Sequence, residues 1–435
     1  MLTLEQAKSI YQSFVTTEKV RLQKLFNYYN AKHDILTKVD RTDGDTSRIV
    51  NNYSKYISTI ATGYFIGNPI KYSSTDEDLE EINNIFKLNY ETSHNADLAL
   101  NMSIFGKAYE LNYLDENSRY NFASIDPRTV IVIKDGSLKD SITDAIIINE
   151  RNIPQDNKVE ITLSTYDNTK CVQYKAITDT DAFDCTFNKE NEFNHNMGCC
   201  PIIEYKNNAY SKSDFEDVIT LIDAYNEAIS TSIDDLKDFT DAFLKLKNLS
   251  GTDLDDIKQI KDSKVIMVDG DGDADWLIKN INDVYSENIK NRLKHDIHKF
   301  AFCPDLTDEA FAGNVTGIAI KCKFQALEQL RQEKERYFTK GLMHRFDMIN
   351  TYLSKYGKNL DILSLNISFQ ANLPVNTAEL INNLVSLSGT ISRKTQLSNI
   401  PFVKDVDSEI KQLKQEKNTI YNDEELDFNK GLEDE

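Results

Sequence analysis

The stretch RIVNNYSKYISTIATGYFIGNPIKY, residues 48–72, reads as an amphipathic helix that stops at a glycine and opens into a short extended segment. Ile49, Tyr53, Tyr56, Ile57 and Ile60 recur at three- and four-residue steps, so they share one helical face. Gly63 supplies a stop, and Gly67-Asn68-Pro69 turns the chain before Ile70 and Tyr72. On physical grounds alone this is a helix–turn–strand packing unit with no chemistry in it.

Working outward, Leu4, Ala7, Ile10, Tyr11, Phe14, Leu22, Leu25, Phe26 and Tyr29 predict a helix over the first thirty residues, followed by a polar loop at 40–47. The acids at 76–81 open a helix running to about Tyr90, and residues 95–105 are helical again. Gly106 marks the change to a strand at 108–114. Apolar runs at 130–133, 145–148, 159–163 and 172–176, bounded by Asp, Asn, Gly and Pro, predict a mostly antiparallel sheet. Ser213 with Glu216 three residues on has the capping-box pattern, and opens a long helix to about Phe243. Strands at 243–246 and 265–268 flank a small helix at 252–261. A helix over 283–302 places Ile289, Leu293, Ile297 and Phe300 on one face. A loop at 304–317 leads into a long helix reaching about Tyr356, in which Gly341 offers a bend. A strand at 363–369, helices at 376–388 and 405–418, and a disordered acidic end at 423–435 complete an α+β multidomain chain.

The 435 residues suffice for two or three domains, each with its own core. No apolar run approaches the roughly eighteen residues that span a bilayer, and the first residues carry no export signal. The six cysteines fit no disulfide framework and read as reduced thiols in a cytosol. A net charge of −20 excludes tight nonspecific DNA binding over most of the surface, since that needs cations to displace counterions. If DNA is a partner, the protein guides it without gripping it.

Catalytic patterns fail one by one. There is no GxxxxGK[ST], HExxH, GxSxG or CxxC spacing. Asp269, Asp271 and Asp273, continued by Asp275, offer calcium-loop oxygens at the first, third and fifth positions. Ala274 stands where the turn glycine belongs and Asn280 where the bidentate Glu belongs, so a solvated acidic turn is the better reading. His195, Cys199 and Cys200 match no zinc spacing and read as core, while His295 and His298 read as a polar helix face. The chain therefore carries no catalytic, metal or cofactor assignment. Two charge features remain. The 212–241 helix holds nine acids, Asp223, Glu227, Asp234 and Asp238 among them, against Lys212 and Lys237; it either repels phosphate or is an ordinary solvated face. The 283–302 helix reverses the sign, with Lys290 and Lys294 on one face and His298 continuing the stripe.

As strings, several segments resemble the SPP1-type portal proteins of tailed bacteriophages. They are residues 48–72, YYNAKHDIL at 28–36, GCCPIIEYKNN at 198–208, SDFEDVITLIDAYNEAISTSIDDLKDFTDAFLKLKN at 213–248 and CPDLTDEAFAGNVTGIAIKCKFQALEQLRQEKERYF at 303–338. The last two are the most specific. The resemblance implies a wing at 1–211, stem helices at 212–243 and 284–303, and a small α/β clip at 244–283. It further implies a tunnel loop at 304–317, a wing helix and strand at 318–374, a helical crown at 375–418 and a tail at 419–435. It implies a homo-oligomeric ring, in the family about twelve subunits, at one capsid vertex of the virion, assembled in the bacterial cytoplasm. Double-stranded DNA would pass through it without sequence readout during packaging and ejection. Partners would be the terminase large subunit, the head–tail adaptor, the major capsid protein and the scaffold, with no membrane. The implied tunnel-loop residues are Asp305, Thr307, Asp308, Glu309, Phe311 and Asn314. Lys290, Lys294 and His298 would form a basic channel band, Asp223, Glu227, Asp234 and Asp238 an acidic wall, and Asp269, Asp271 and Asp273 an adaptor contact. The alternatives are a non-portal cytosolic scaffold with long helices, and a metal-dependent nuclease using the 269–275 acids.

Overall fold

The computed structural model describes residues 2–41, 46–74, 79–153, 158–178, 185–240, 243–247, 273–277, 283–307, 317–372, 377–400 and, with short interruptions, 403–416. It divides into two compact units, Met1–Asn372 and Leu373–Glu435. The N-terminal stripe forms two helices rather than one, α1 (Leu4–Thr16) and α2 (Glu18–Tyr29). The hydroxyls of Thr16 and Thr17 bond back to the carbonyls of Gln12 and Ser13, competing with the helical ladder at the break.

Helix α3 (Tyr53–Ile66) starts at Asn52, whose side chain accepts the Lys55 N–H, and runs through Gly63 to stop at Gly67. A Cβ on Gly67 would lie 2.2 Å from the Gly63 carbonyl, so a close approach explains this glycine. β1 (Lys71–Ser74) leads to α4 (Glu80–Leu88) and α5 (Glu91–Phe105), the latter starting earlier than the sequence reading places it. Gly106, at φ +81°, turns the chain against the Ser211 carbonyl into β2 (Lys107–Leu114), which pairs with β3 (Tyr120–Ile125). A five-stranded antiparallel meander follows: β4 (Val130–Lys134), β5 (Ile142–Ile153), β6 (Lys158–Tyr166), β7 (Lys170–Thr178) and β8 (Asn188–Asn194), in that order. The edge strand β8, NKENEFN, is exposed at every residue and has no apolar alternation to announce it. β9 (Ile202–Lys206) returns to the other side of β2.

Then come α6 (Ile219–Thr240), β10 (Phe243–Lys247), β11 (Asp273–Leu277) and α7 (Asp283–Phe300). β10 pairs antiparallel with β11, setting Lys245 opposite Asp275 and Lys247 opposite Asp273 in the register. Residues 273–275 are thus strand, which corrects the turn reading of that stretch. The sequence-predicted helix at 252–261 and strand at 265–268 lie outside the described residues. The long helix is two: α8 (Gly317–Lys323) and α9 (Gln325–Ser354). The interruption falls at Phe324, whose ring stacks on Tyr64 at 5.6 Å, and not at Gly341. Gly341 instead lets α9 lie against β9, for a Cβ there would meet the Tyr205 ring at 2.3 Å. β12 (Leu365–Ser368) closes on β1.

One core joins α3, α4, α5, β9 and α9 through Phe65, Ile82, Leu98, Met102, Tyr205, Phe338, Phe346 and Ile349. Inside it Arg345 and Glu110, both fully buried, form an ion pair. His94 meets Glu110 at 2.8 Å, the Tyr205 hydroxyl donates to it at 3.2 Å, and Arg345 also donates to Asn95 Oδ1 at 3.0 Å. Burial pushes the Glu110 carboxyl up, but Arg345 and His94 overcome this and hold it at about 2. The second unit holds α10 (Thr377–Ser386), α11 (Arg393–Ser398, capped by Ser392) and helical backbone at 408–416. Six residues are too few for α11 to show a period.

Candidate functional site

The antiparallel pair α6 and α7, rooted in the first unit, carries seven of the residues singled out from sequence. Its root is apolar: Leu25, Tyr28, Ile57, Phe215, Val218, Ile222, Ile297 and Ala301 form one cluster. Ser213 and Glu216 supply half of the anticipated box, with the Glu216 carboxylate accepting the Ser213 N–H at 3.1 Å. The Ser213 hydroxyl instead donates to the Ser103 carbonyl, and the α-helix proper begins at Ile219 after a tighter turn at Glu216–Val218.

Above the root, the buried stripe of α6 turns polar. Asn226, Ser230 and Asp234 face the extended chain at 47–51, where they accept the N–H groups of Asn51, Ile49 and Ser47 at 2.8, 3.0 and 2.9 Å. The match is geometric: four helical residues rise about 6 Å, and two extended residues advance about 6.6 Å. The helix therefore does for this segment what a neighbouring strand does in a sheet. Asn226 also donates to His33 Nδ1 at 2.9 Å, leaving His33 Nε2–H for the Tyr28 carbonyl, and burial keeps that imidazole neutral.

The acids of this helix are engaged within the protomer. Asp214 meets Lys334 at 2.6 Å with both side chains buried, and Glu216 grips Arg21 through two contacts of 2.6 Å. Asp223 accepts the Tyr28 hydroxyl at 2.7 Å, and Glu227 pairs with Lys38 at 2.6 Å. Asp234 is buried. This corrects the acidic-wall reading for Asp234, because a carboxylate bonded to a backbone amide inside the protomer cannot face a channel. Asp223 has a neutral hydroxyl as its partner, and Glu227 stays half exposed beside Lys38. The Asp238 side chain lies outside the described residues. The outward face of α6 is instead Thr220, Ala224, Glu227 and Thr231.

The basic helix is rotated from its expected phase. Leu293 and Ile297 face inward, whereas Ile289 and Phe300 are exposed along with Val284 and Tyr285. Lys290 and Lys294 sit on the inward flank: Lys290 pairs with Glu287, its side chain only 14 % exposed, and Lys294 Nζ meets Asp305 at 2.7 Å. His298 is a wedge, not a polar face. Tyr53 and Tyr56 meet its ring edge-on at 5.7 and 5.6 Å, and its Nδ1 faces the Cys303 carbonyl at 3.1 Å. Burial lowers its pKa, so it stays neutral. The outward basic residues are Arg292, His295 and Lys299, spaced to share one face.

Asp305 and Thr307 are described; Asp308, Glu309, Phe311 and Asn314 are not, nor are Asp269 and Asp271. The Asp305 carboxylate accepts the Thr307 N–H at 3.0 Å and its hydroxyl at 2.6 Å. The Tyr56 hydroxyl donates to the Pro304 carbonyl at 3.1 Å and accepts the Leu306 N–H at 3.0 Å. The 303–307 segment is thereby pinned between α3 and α7. Asp305's burial works to raise its pKa, yet Lys294 and Thr307 hold the carboxyl at about 2. Away from this site His195 is a loop staple: its Nδ1 accepts the Met197 N–H and its Nε2–H faces the Asp167 carbonyl at 3.0 Å. Cys200 is buried, its thiol pushed up to about 12.

Residues 10–423 match the family model described as "Phage portal protein, SPP1 Gp6-like". The chain belongs to that portal family. Its portal relatives include the portal protein of Bacillus phage SPP1, 26 % identical over 412 residues, covering 91 % of this chain and 80 % of the relative. The portal protein of Clostridium phage phiCD119 is 23 % identical over 443 residues, covering 96 % of each. A solved chain from the "Neck of empty GTA particle computed with C6 symmetry" overlays 80 % of this chain and 90 % of its own at TM-score 0.45 and 12 % identity. The role is that of a phage portal, and the portal family is structural rather than catalytic. Among the described residues no helix is long and apolar enough to cross a membrane.

Proposed function

We propose that copies of this chain close into a ring at one capsid vertex, through which double-stranded DNA enters during packaging and leaves during ejection. The family match over 10–423 carries this reading. The topology suits it: α6 and α7 are an antiparallel pair whose far ends are bridged through the β10–β11 ladder. In this reading residues 1–211 and 318–374 are the wing, α6 and α7 the stem, 244–283 the clip, 304–317 the tunnel loop and 375–418 the crown. A head-to-tail contact whose rotation closes generates the ring, about twelve copies in the family. The exposed Val284, Tyr285, Ile289 and Phe300 give α7 an apolar outer face suited to a neighbouring copy.

Duplex DNA carries about one negative charge per 1.7 Å of axis, so a channel must neither repel it strongly nor hold it. A wall in which several acids are held inside the protomer and the outward basic residues are few suits that requirement. The ring acts as a passive conduit without catalysis of its own, while the terminase large subunit drives packaging and a head–tail adaptor docks on the clip. The capsid protein and scaffold surround the wing. Deleting residues 308–314 should leave rings of normal mass but lower the amount of DNA packaged; unimpaired packaging by those rings would refute the tunnel-loop assignment.

A further inference from the structure

A cavity of about 580 Å³ opens at the foot of α7. Its basic and acidic lining among the described residues is Lys294, His295, His298 (a neutral imidazole) and Lys299 from α7, Lys323 from α8, and a single carboxylate, Asp305. Three ammonium groups around one acid run against the composition of a chain with net charge −20. The volume lies within the roughly 300–1,000 Å³ of small-ligand sites. The placing of Asp305 indicates what the cavity receives. One of its oxygens lies 2.7 Å from Lys294 Nζ and 4.0 Å from His298 Nε2, and the other is fixed by Thr307. That is the position and charge of an oxyanion bound in the cavity, supplied here by the protein's own chain.

We propose that this cavity is a binding site for a phosphoryl anion, and that the Asp305 carboxylate is the internal stand-in such an anion displaces from Lys294. Charge-assisted bonds from ammonium groups to phosphate oxygens are short and strong, and a phosphate presents more acceptor oxygens than one carboxylate. The exchange also has a mechanical consequence. Once Lys294 is taken, the 303–307 segment loses its ionic anchor to α7 and keeps the Tyr56 contacts to α3. Anion occupancy is therefore read by the segment that enters the tunnel loop. The proposal rests on the portal reading for one source of phosphate, the DNA backbone; free phosphate offers the same chemistry.

The full-length protein, its ring state checked by mass, is titrated with inorganic phosphate and separately with a short blunt duplex. Asp305→Asn removes the competing charge at constant shape and should tighten binding by about fivefold or more, the low end of coupling between competing groups. Tightening for phosphate alone assigns the site to the free anion; tightening for both assigns it to the DNA backbone as well. Lys299→Ala with Lys323→Ala should flatten the salt dependence of duplex binding by about 0.9 for each phosphate no longer neutralised. Unchanged affinity for both probes and an unchanged salt slope, in variants that assemble like the parent, would overturn the proposal. Failure of the parent to form rings counts against the portal reading instead, and the phosphate arm can still be read on the unassembled chain.

Discussion

Arg345 and Glu110 illustrate how a buried charge is tolerated only with its partner. Both lie fully inside the main core, where the guanidinium also spans toward Asn95 and the Phe122 ring at 4.6 Å. Arg345→Met leaves buried Glu110 with only His94 and Tyr205 as partners and should cost about 3–5 kcal/mol, measured by urea unfolding of the purified protein. A loss under about 1 kcal/mol would mean that the pair is not desolvated as described. The same carboxyl sets a pH signature. Its pKa is about 2 when folded, down from an ordinary 4.5, so its contribution is complete above about 4.5 and is lost as pH falls through 2. The stability gap between the parent and Glu110→Gln should therefore shrink across that window; a gap that stays constant would show the pKa to be ordinary. None of this pairing was legible from sequence, because positions 110 and 345 are 235 residues apart and acids are everywhere in this chain.

Element by element, periodicity carried most of the fold. Helices with a strong apolar stripe and strands with short β-branched runs were readable, since each signal lies within one element. What failed was phase and partnership. On α7, Leu293 and Ile297 already fixed the inward direction, and Lys290 and Lys294, each three residues before one of them, had to lie beside them. The outward stripe of Arg292, His295 and Lys299 was available from the same wheel. On α6, counting acids misled, because Tyr28, Lys38, Arg21 and Lys334 come from distant parts of the chain to meet them. The ladder of Asn226, Ser230 and Asp234 against 47–51 was hidden for another reason: a polar stripe on a helix reads as solvated surface. Ser230→Ala should orphan the Ile49 N–H at a cost of about 1–3 kcal/mol. Hydrogen exchange at Ser47, Ile49 and Asn51 should be slow in the parent and accelerate most at Ile49 in the variant. Fast exchange at all three in the parent would remove the ladder from the account.

At the scale of the whole molecule, net charge and local charge part company. The chain is strongly acidic, yet along the α6–α7 pair most described acids are bonded internally and the foot of α7 gathers cations. In the proposed ring such a distribution would present little fixed repulsion to a polyanion passing along that pair. Composition alone could not separate these, because it sums over faces. The family resemblance reached the portal role through strings at 213–248 and 303–338, and the match over 10–423 agrees with it. Electron microscopy of the purified 435-residue chain shows whether its copies close into a ring. A portal should give closed annular particles of many copies, with a central hole wide enough for duplex DNA. Single 49.8 kDa particles persisting at high concentration would contradict it.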